Sequence, residues 1–143
     1  MTWEKSCGAV VYTAADGQIQ YLLAQSLEGV YGFPKGHMEQ GESEVETALR
    51  EVFEETNIRV SLLDDFRAVS EYPLPRKPGT MKQVVYFLGE YHNQQIIHQK
   101  EELRGARLVS YEEAMQLLRF EDAKQILTDA NTVLRKRICE EIK

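Results

Sequence analysis

Hydrophobic and polar positions change rhythm several times along this chain, and each change marks an element. Residues 6–13 (SCGAVVYT) form a β-branched and small apolar run that stops at Asp16-Gly17, and residues 18–25 (QIQYLLAQ) follow it. The two predict a β-hairpin. Residues 29–34 (GVYGFP) hold too much glycine for a regular strand and predict a loop that continues through Gly36. From Ser43 the period becomes helical. Val45, Ala48, Leu49, Val52 and Phe53 recur at i, i+3, i+4, i+7 and i+8, one apolar face at about 3.6 residues per turn. Ser43 with Glu46 is a capping box that opens this helix.

Strand-like stretches come next, at residues 60–63 and 66–69, before Pro73, Pro75, Pro78 and Gly79 break regular structure. Residues 81–91 (MKQVVYFLGEY) predict a buried strand, with Val84, Tyr86 and Leu88 on one face and Val85 and Phe87 on the other. A polar stretch, residues 93–105, leads to a short strand at 106–109. Ser110 and Glu113 form a second capping box opening a helix over 111–118. A last helix carries Ala123, Ile126, Leu127, Ala130, Leu134 and Ile138 as its apolar stripe, which predicts core packing. Strands first, a helix in the middle and helices at the end predict an α/β/α layered domain on a mixed β-sheet.

A length of 143 residues suits one domain over 1–143, and 43% hydrophobic with 28% charged residues is ordinary for a soluble globular protein. No apolar run approaches the ~20 residues of a membrane span, and MTWEKSCGAV lacks a signal-peptide core. Cys7 and Cys139 have no metal-ligand spacing and are expected as reduced thiols of a cytoplasmic protein. A net charge of −6 argues against capture of nucleic acid by long-range attraction. A polyphosphate remains compatible, because bound metal ions reverse the local field.

The chemistry concentrates in the first helix. Glu51, Glu54 and Glu55 stand at i, i+3 and i+4, on the side expected to face away from the apolar stripe. Like charges at these spacings cost roughly 0.2–0.5 kcal/mol per pair, and carboxylates in a last turn oppose the helix dipole. Such a conflict is expected where something compensates for it, and a hard divalent cation such as Mg²⁺ would do so. The competing reading is a solvated acidic face. Arg50 beside the patch and Glu42 upstream favour the first reading. Lys35 and His37 flank Gly36, and Arg76 and Lys77 make the proline-rich loop basic; these are either solvated loop charges or phosphate contacts. Tyr86 reads as a core aromatic.

Gly36, five residues, Glu42, seven residues, then Arg50-Glu51-Val52-x-Glu54-Glu55-x-x-Ile58 resembles the signature of the Nudix hydrolases. Where that family usually has a glycine before the last apolar residue, this chain has Asn57. Asparagine is the next-best residue for a left-handed helix end, so the departure leaves the catalytic positions untouched. The resemblance implies a Nudix-type α/β/α sandwich binding Mg²⁺, with Mn²⁺ as a substitute, through Glu51, Glu54, Glu55 and the Gly36 carbonyl. It also implies that Arg50 holds nearby carboxylates, including Glu42, in position. The complete acidic set favours an enzyme over a Nudix-fold binding module that has lost its chemistry.

The segments SCGAVVY, YGFPKGHMEQGE, RKPG, KQVVYFL and SYEEA are similar to the family's asymmetrical diadenosine tetraphosphate hydrolases over nearly the whole chain. That similarity implies a small nucleoside polyphosphate as partner, contacted by Lys35, His37, Lys82 and Tyr86, and cleavage to ATP and AMP. It places a water-activating glutamate on Glu102 and leaves Glu101 unmatched. Nucleic acid and membrane are not expected partners, and a monomer or weak dimer is expected. A nucleoside triphosphate or an RNA 5′ end is the alternative substrate.

Overall fold

The computed structural model describes residues 1–142. Its centre is a parallel pair, β1 (Thr2–Thr13) and β7 (Thr80–Glu90), in register from Thr2↔Thr80 to Tyr12↔Glu90. Parallel strands need a long crossover, and here it contains the first helix and five strands. Both central strands are buried on both faces over most of their length, which explains why their sequences read as near-continuous apolar runs.

The mixed sheet grows outward from this pair. A 3-10 turn at Ala15–Gly17, with Gly17 at φ 74, returns the chain into β2 (Gln20–Ser26). β1 and β2 pair antiparallel from Val11↔Leu22 to Thr13↔Gln20 and then part. Into the gap come β3 (Tyr31–Gly32) on β2 and β4 (Lys35–His37) on β1. β8 (Leu103–Val109) covers the outer edge of β2, while β5 (Ser61–Leu62) and β6 (Ala68–Pro73) share the outer edge of β7.

Helices cover both faces. α2 (Tyr111–Leu117) and α3 (Glu121–Ile142) bring Ala114, Ile126, Leu127, Ala130 and Leu134 against Val10, Tyr21, Leu23, Val84 and Leu88. On the opposite face α1 (Glu44–Thr56) lays Ala48 and Val52 over Cys7, Ala9, Val11, Val85 and Phe87. Each fully buried Leu, Val or Ile contributes about 1.5–3 kcal/mol. A polar pair buried in the α3 layer is satisfied, with the Tyr21 hydroxyl donating to Asn131 Oδ1 at 2.7 Å. The α/β/α sandwich and the two-faced division of β7 are as the sequence predicts. Among the described residues no helix is long and apolar enough to cross a membrane.

Several expectations need correction. β1 starts at Thr2 because parallel pairing with β7 captures the polar TWEK run. Residues 29–37 are not simply a loop: backbone pairing makes β3 and β4 without any apolar pattern to announce them. β6 lies at Ala68–Pro73, later than expected, with Pro73 at the last position of a strand on the sheet edge. Ser110 caps α2 through the Glu113 N–H, but the Glu113 carboxylate turns to Arg107 instead of closing the box.

The largest correction concerns α1. Ser43 and Glu46 form the full capping box, and Asn57 closes the helix in the left-handed region at φ 66. The buried face, however, is Thr47, Ala48, Val52, Glu55 and Thr56. Val45 and Leu49 are 42% and 37% exposed, and Phe53 lies half-buried under the Arg59 guanidinium. The helix is turned so that the small Ala48 meets the sheet, and this carries Glu55 inward.

Candidate active site

The site is built around β4. Its first and third side chains, Lys35 and His37, point to one face of the sheet, and the middle position points to the other. On that other face Glu51 of α1 presses against Gly36: a Cβ at Gly36 would fall on the Glu51 carboxyl group. The missing Cβ leaves room for the tip of this side chain.

Arg50 gathers the acidic half. Its Nε and Nη2 grip Glu42 at 2.6 and 2.9 Å, a bidentate pair. Nη1 reaches Glu51 Oε1 at 2.8 Å and Glu54 Oε1 at 2.9 Å, and Nη2 also donates to the His37 carbonyl at 2.9 Å. Glu42 further accepts from the Glu39 N–H and the Thr47 hydroxyl. These hydrogen bonds, Arg50 first, hold its carboxyl down at about 2. The expected Arg50–Glu42 pairing is therefore present, and it ties the loop before α1 to the helix and to β4.

Glu55 has the opposite character. It is 7% exposed, and burial, then the negative charge of Glu51, push its carboxyl up to about 8. Lys35 opposes both through its charge and its backbone N–H. Burial also raises Glu51, despite Arg50. The Glu102 charge acts on both Glu51 and Glu55, so the fold brings this loop carboxylate to the helix. Its loop is fastened there: the Gln99 and Ile97 N–H groups donate to the carbonyls of Glu55 and Thr56, each at 3.0 Å.

Hard carboxylate oxygens, two of them raised by burial, suit a divalent cation such as Mg²⁺ or Mn²⁺. A cation would favour the ionised form that burial disfavours. Among the described residues, no three His, Cys, Asp or Glu side chains surround a common point as a ready cation cage. Glu51 and Glu54 are drawn onto Arg50 instead. The expected set of Glu51, Glu54, Glu55 and Gly36 is thus gathered in one region without being closed into a cage.

The basic half lies on the other side of β4. Register places Glu4 beside Lys82, Ser6 beside both Val84 and His37, and Gly8 beside both Tyr86 and Lys35. Lys82 is 6% exposed, with its Nζ 3.3 Å from His37 Nε2. Burial, then the charge of Lys35, lower the Lys82 ammonium. Burial, then Lys82, lower the His37 imidazole. Glu4 acts on both with the favourable sign, while its own carboxylate is ion-paired with Lys77. A buried Lys82 whose ammonium is lowered beside Lys35 and His37 is suited to an anion.

Tyr86 takes the core position that its strand pattern predicts. Tyr86 is 8% exposed and meets Phe33 edge-on at 5.4 Å between centroids, within the α3-side core. Its ring has no open face for a base to stack on. Tyr72, which sequence reasoning missed, stands directly opposite Lys82 and is 37% exposed. The tight β6–β7 hairpin fixes this pairing, so its turn residues were the available signal.

The chain belongs to the NUDIX family, whose domain matches residues 4–130. It is a Nudix hydrolase, an enzyme that hydrolyses phosphoric anhydrides, and enzymes of this family are generally divalent-metal dependent. It is 33% identical over 142 residues to the asymmetrical bis(5′-nucleosyl)-tetraphosphatase of Rattus norvegicus, covering 91% of this chain and 95% of that protein. The solved binary complex of a C. elegans Ap4A hydrolase matches with a TM-score of 0.85 at 25% identity, covering 93% of this chain and 98% of the other. The NUDIX domain of Shewanella oneidensis NrtR, complexed with ADP ribose, matches with a TM-score of 0.73 at 20% identity, covering 94% of this chain and 90% of the other, which shows the fold alone.

Proposed function

We propose that this protein cleaves diadenosine tetraphosphate asymmetrically to ATP and AMP, using Mg²⁺ or Mn²⁺. The observation that carries the reading is the division of charge across one three-residue strand: Lys35 and His37 with Lys82 on one face, Glu51 with Glu55 on the other. A polyanion held by the first set presents a phosphorus atom to the second. The similarity to asymmetrical tetraphosphatases over 91% of the chain supports the choice of substrate.

Lys35 and Lys82 take phosphate charge, and His37 donates or accepts at the same row. Glu51, Glu54, Glu55 and the Gly36 carbonyl are the groups that would hold divalent cations. When bound, these neutralise phosphoryl oxygens and acidify water. Arg50 keeps Glu42, Glu51, Glu54 and the His37 carbonyl in one arrangement, so that the acidic and basic halves stay aligned. Glu102 accepts the proton of the attacking water, whose oxygen forms a new bond to phosphorus in line with the anhydride oxygen that leaves.

The test is a product assay with Mg²⁺ on dinucleoside polyphosphates and nucleoside triphosphates. ATP and AMP in equal amounts from diadenosine tetraphosphate, at a higher kcat/KM than for ATP, dGTP or diadenosine triphosphate, are expected. Two ADP molecules would overturn asymmetric attack, and faster turnover of a nucleoside triphosphate would overturn the substrate. Tight binding without turnover would identify a binding module.

A further inference from the structure

We propose that Asn57, with Gln94, is a positioning residue for Glu102, latching residues 94–102 onto the end of α1. The proposal rests on the reading of Glu102 as the acceptor of the water proton.

Asn57 closes α1 at φ 66 and ψ 16, a conformation that glycine adopts at least as readily. What a glycine lacks is the side chain. Asn57 Nδ2 donates to the Gln95 carbonyl at 3.2 Å, across to the loop that leads into β8. Two residues further on, the Arg59 N–H donates to Gln94 Oε1 at 2.7 Å and Gln94 Nε2 donates to the Arg59 carbonyl at 2.9 Å. One side-chain amide thus stands in for the partner that a neighbouring strand would supply.

The loop answers with its own backbone. The last carbonyls of a helix have no partner within it. Here Thr56 O accepts from the Ile97 N–H and Glu55 O from the Gln99 N–H. Gln99 O in turn accepts from the Glu102 N–H at 3.2 Å and the Leu103 N–H at 2.8 Å. A continuous series of bonds therefore runs from Asn57 and Arg59 to the backbone of Glu102. Ile97 is 52% exposed and Ile96 is partly buried, so the segment has little apolar anchorage of its own. Polar bonds set its position.

The experiment uses the full chain with Mg²⁺ and diadenosine tetraphosphate, plus amide hydrogen exchange on the metal-free protein. Asn57→Gly keeps the helix end and removes the latch. Losing one such bond is expected to lower kcat about fivefold while KM moves less than about twofold. Asn57→Asp, which sets an acceptor against the Gln95 carbonyl, should not restore the rate. Exchange at Ile97 and Gln99 should quicken in Asn57→Gly and in Gln94→Ala, with the β1 and β7 amides unchanged. In a Glu102→Gln background, Asn57→Gly should cost nothing further. Wild-type kcat in Asn57→Gly, an additive loss in the double variant, or unchanged exchange at Ile97 and Gln99 would each overturn the latch. A fully active Glu102→Gln would instead overturn the reading of Glu102 on which the latch depends.

Discussion

The Glu51 carboxyl group occupies the space that a side chain on Gly36 would fill. The contact joins α1 to β4 at the strand position between Lys35 and His37, so the acidic and basic halves of the site meet across a glycine. The obstructing atoms are the tip of a flexible side chain, which can swing away without moving either backbone.

Gly36→Ala should therefore damage function far more than folding. The new methyl group displaces Glu51 from its place beside Glu55 and Arg50, and a misplacement of about 1 Å can cost about a hundredfold in rate. A hundredfold fall in kcat/KM with a melting temperature within a few degrees of wild type is expected. Steady-state kinetics beside thermal melting checks it; near-normal turnover would show that the contact is incidental.

Glu55→Gln should lower turnover by about a hundredfold or more, since it removes a charge from the reaction centre. It also has a pH signature in the metal-free protein. Glu55 titrates at about 8 when folded against an ordinary value of 4.5. Between those values the unfolded chain releases this proton and the folded chain keeps it, so stability falls as pH rises through that window. Glu42 and Glu44, both held near 2, act with the opposite sign and lose their contribution as pH falls below 4.5. Metal-free Glu55→Gln should melt above wild type at pH 8 and close to it at pH 5. A constant offset at both pH values would contradict the assignment.

Lys82→Ala should raise KM for diadenosine tetraphosphate by about tenfold, with kcat and metal affinity changed far less, because a remote phosphate contact supplies mainly uniform binding. Kinetics together with Mg²⁺ titration of the free protein separates the two. Loss of metal affinity would place Lys82 in the acidic half instead.

The substrate contact that the resemblance implies for Tyr86 should fall to Tyr72 instead. Tyr86→Ala removes a core ring and should cost about 3–5 kcal/mol of stability. Tyr72→Ala, at an exposed position opposite Lys82, should leave the melting temperature nearly unchanged and raise KM. Denaturant unfolding with kinetics on both variants decides the matter. A Tyr72→Ala enzyme with normal KM would return the exposed ring to a bystander.

Glu102→Gln should lower kcat at least about tenfold with little change in KM, in keeping with loss of a general base. Glu101→Gln, one residue earlier on the same loop, should be nearly silent. The reverse pattern would move the role to Glu101.

Local spacing alone carried a good deal of this protein. The Ser43–Glu46 box, the left-handed stop at Asn57 and the two faces of β7 all depend on neighbours a few residues apart or on strand alternation. Propensity and short-range geometry encode such relations directly. Tertiary structure decided the rest. The apolar stripe predicted for α1 runs over Val45, Ala48, Leu49, Val52 and Phe53, yet the sheet receives only its Ala48 and Val52 edge, and Glu55 turns inward with it. β4 has no hydrophobic pattern, because its place comes from backbone pairing with β1 and from the space left at Gly36. Tyr72 stands opposite Lys82, and Glu102 comes within electrostatic range of Glu51 and Glu55, through strand register and loop anchorage between distant segments. Periodicity reports which side chains share a face of one element. Which face the rest of the molecule covers is set by the shape and hydrogen bonding of elements far away in the chain.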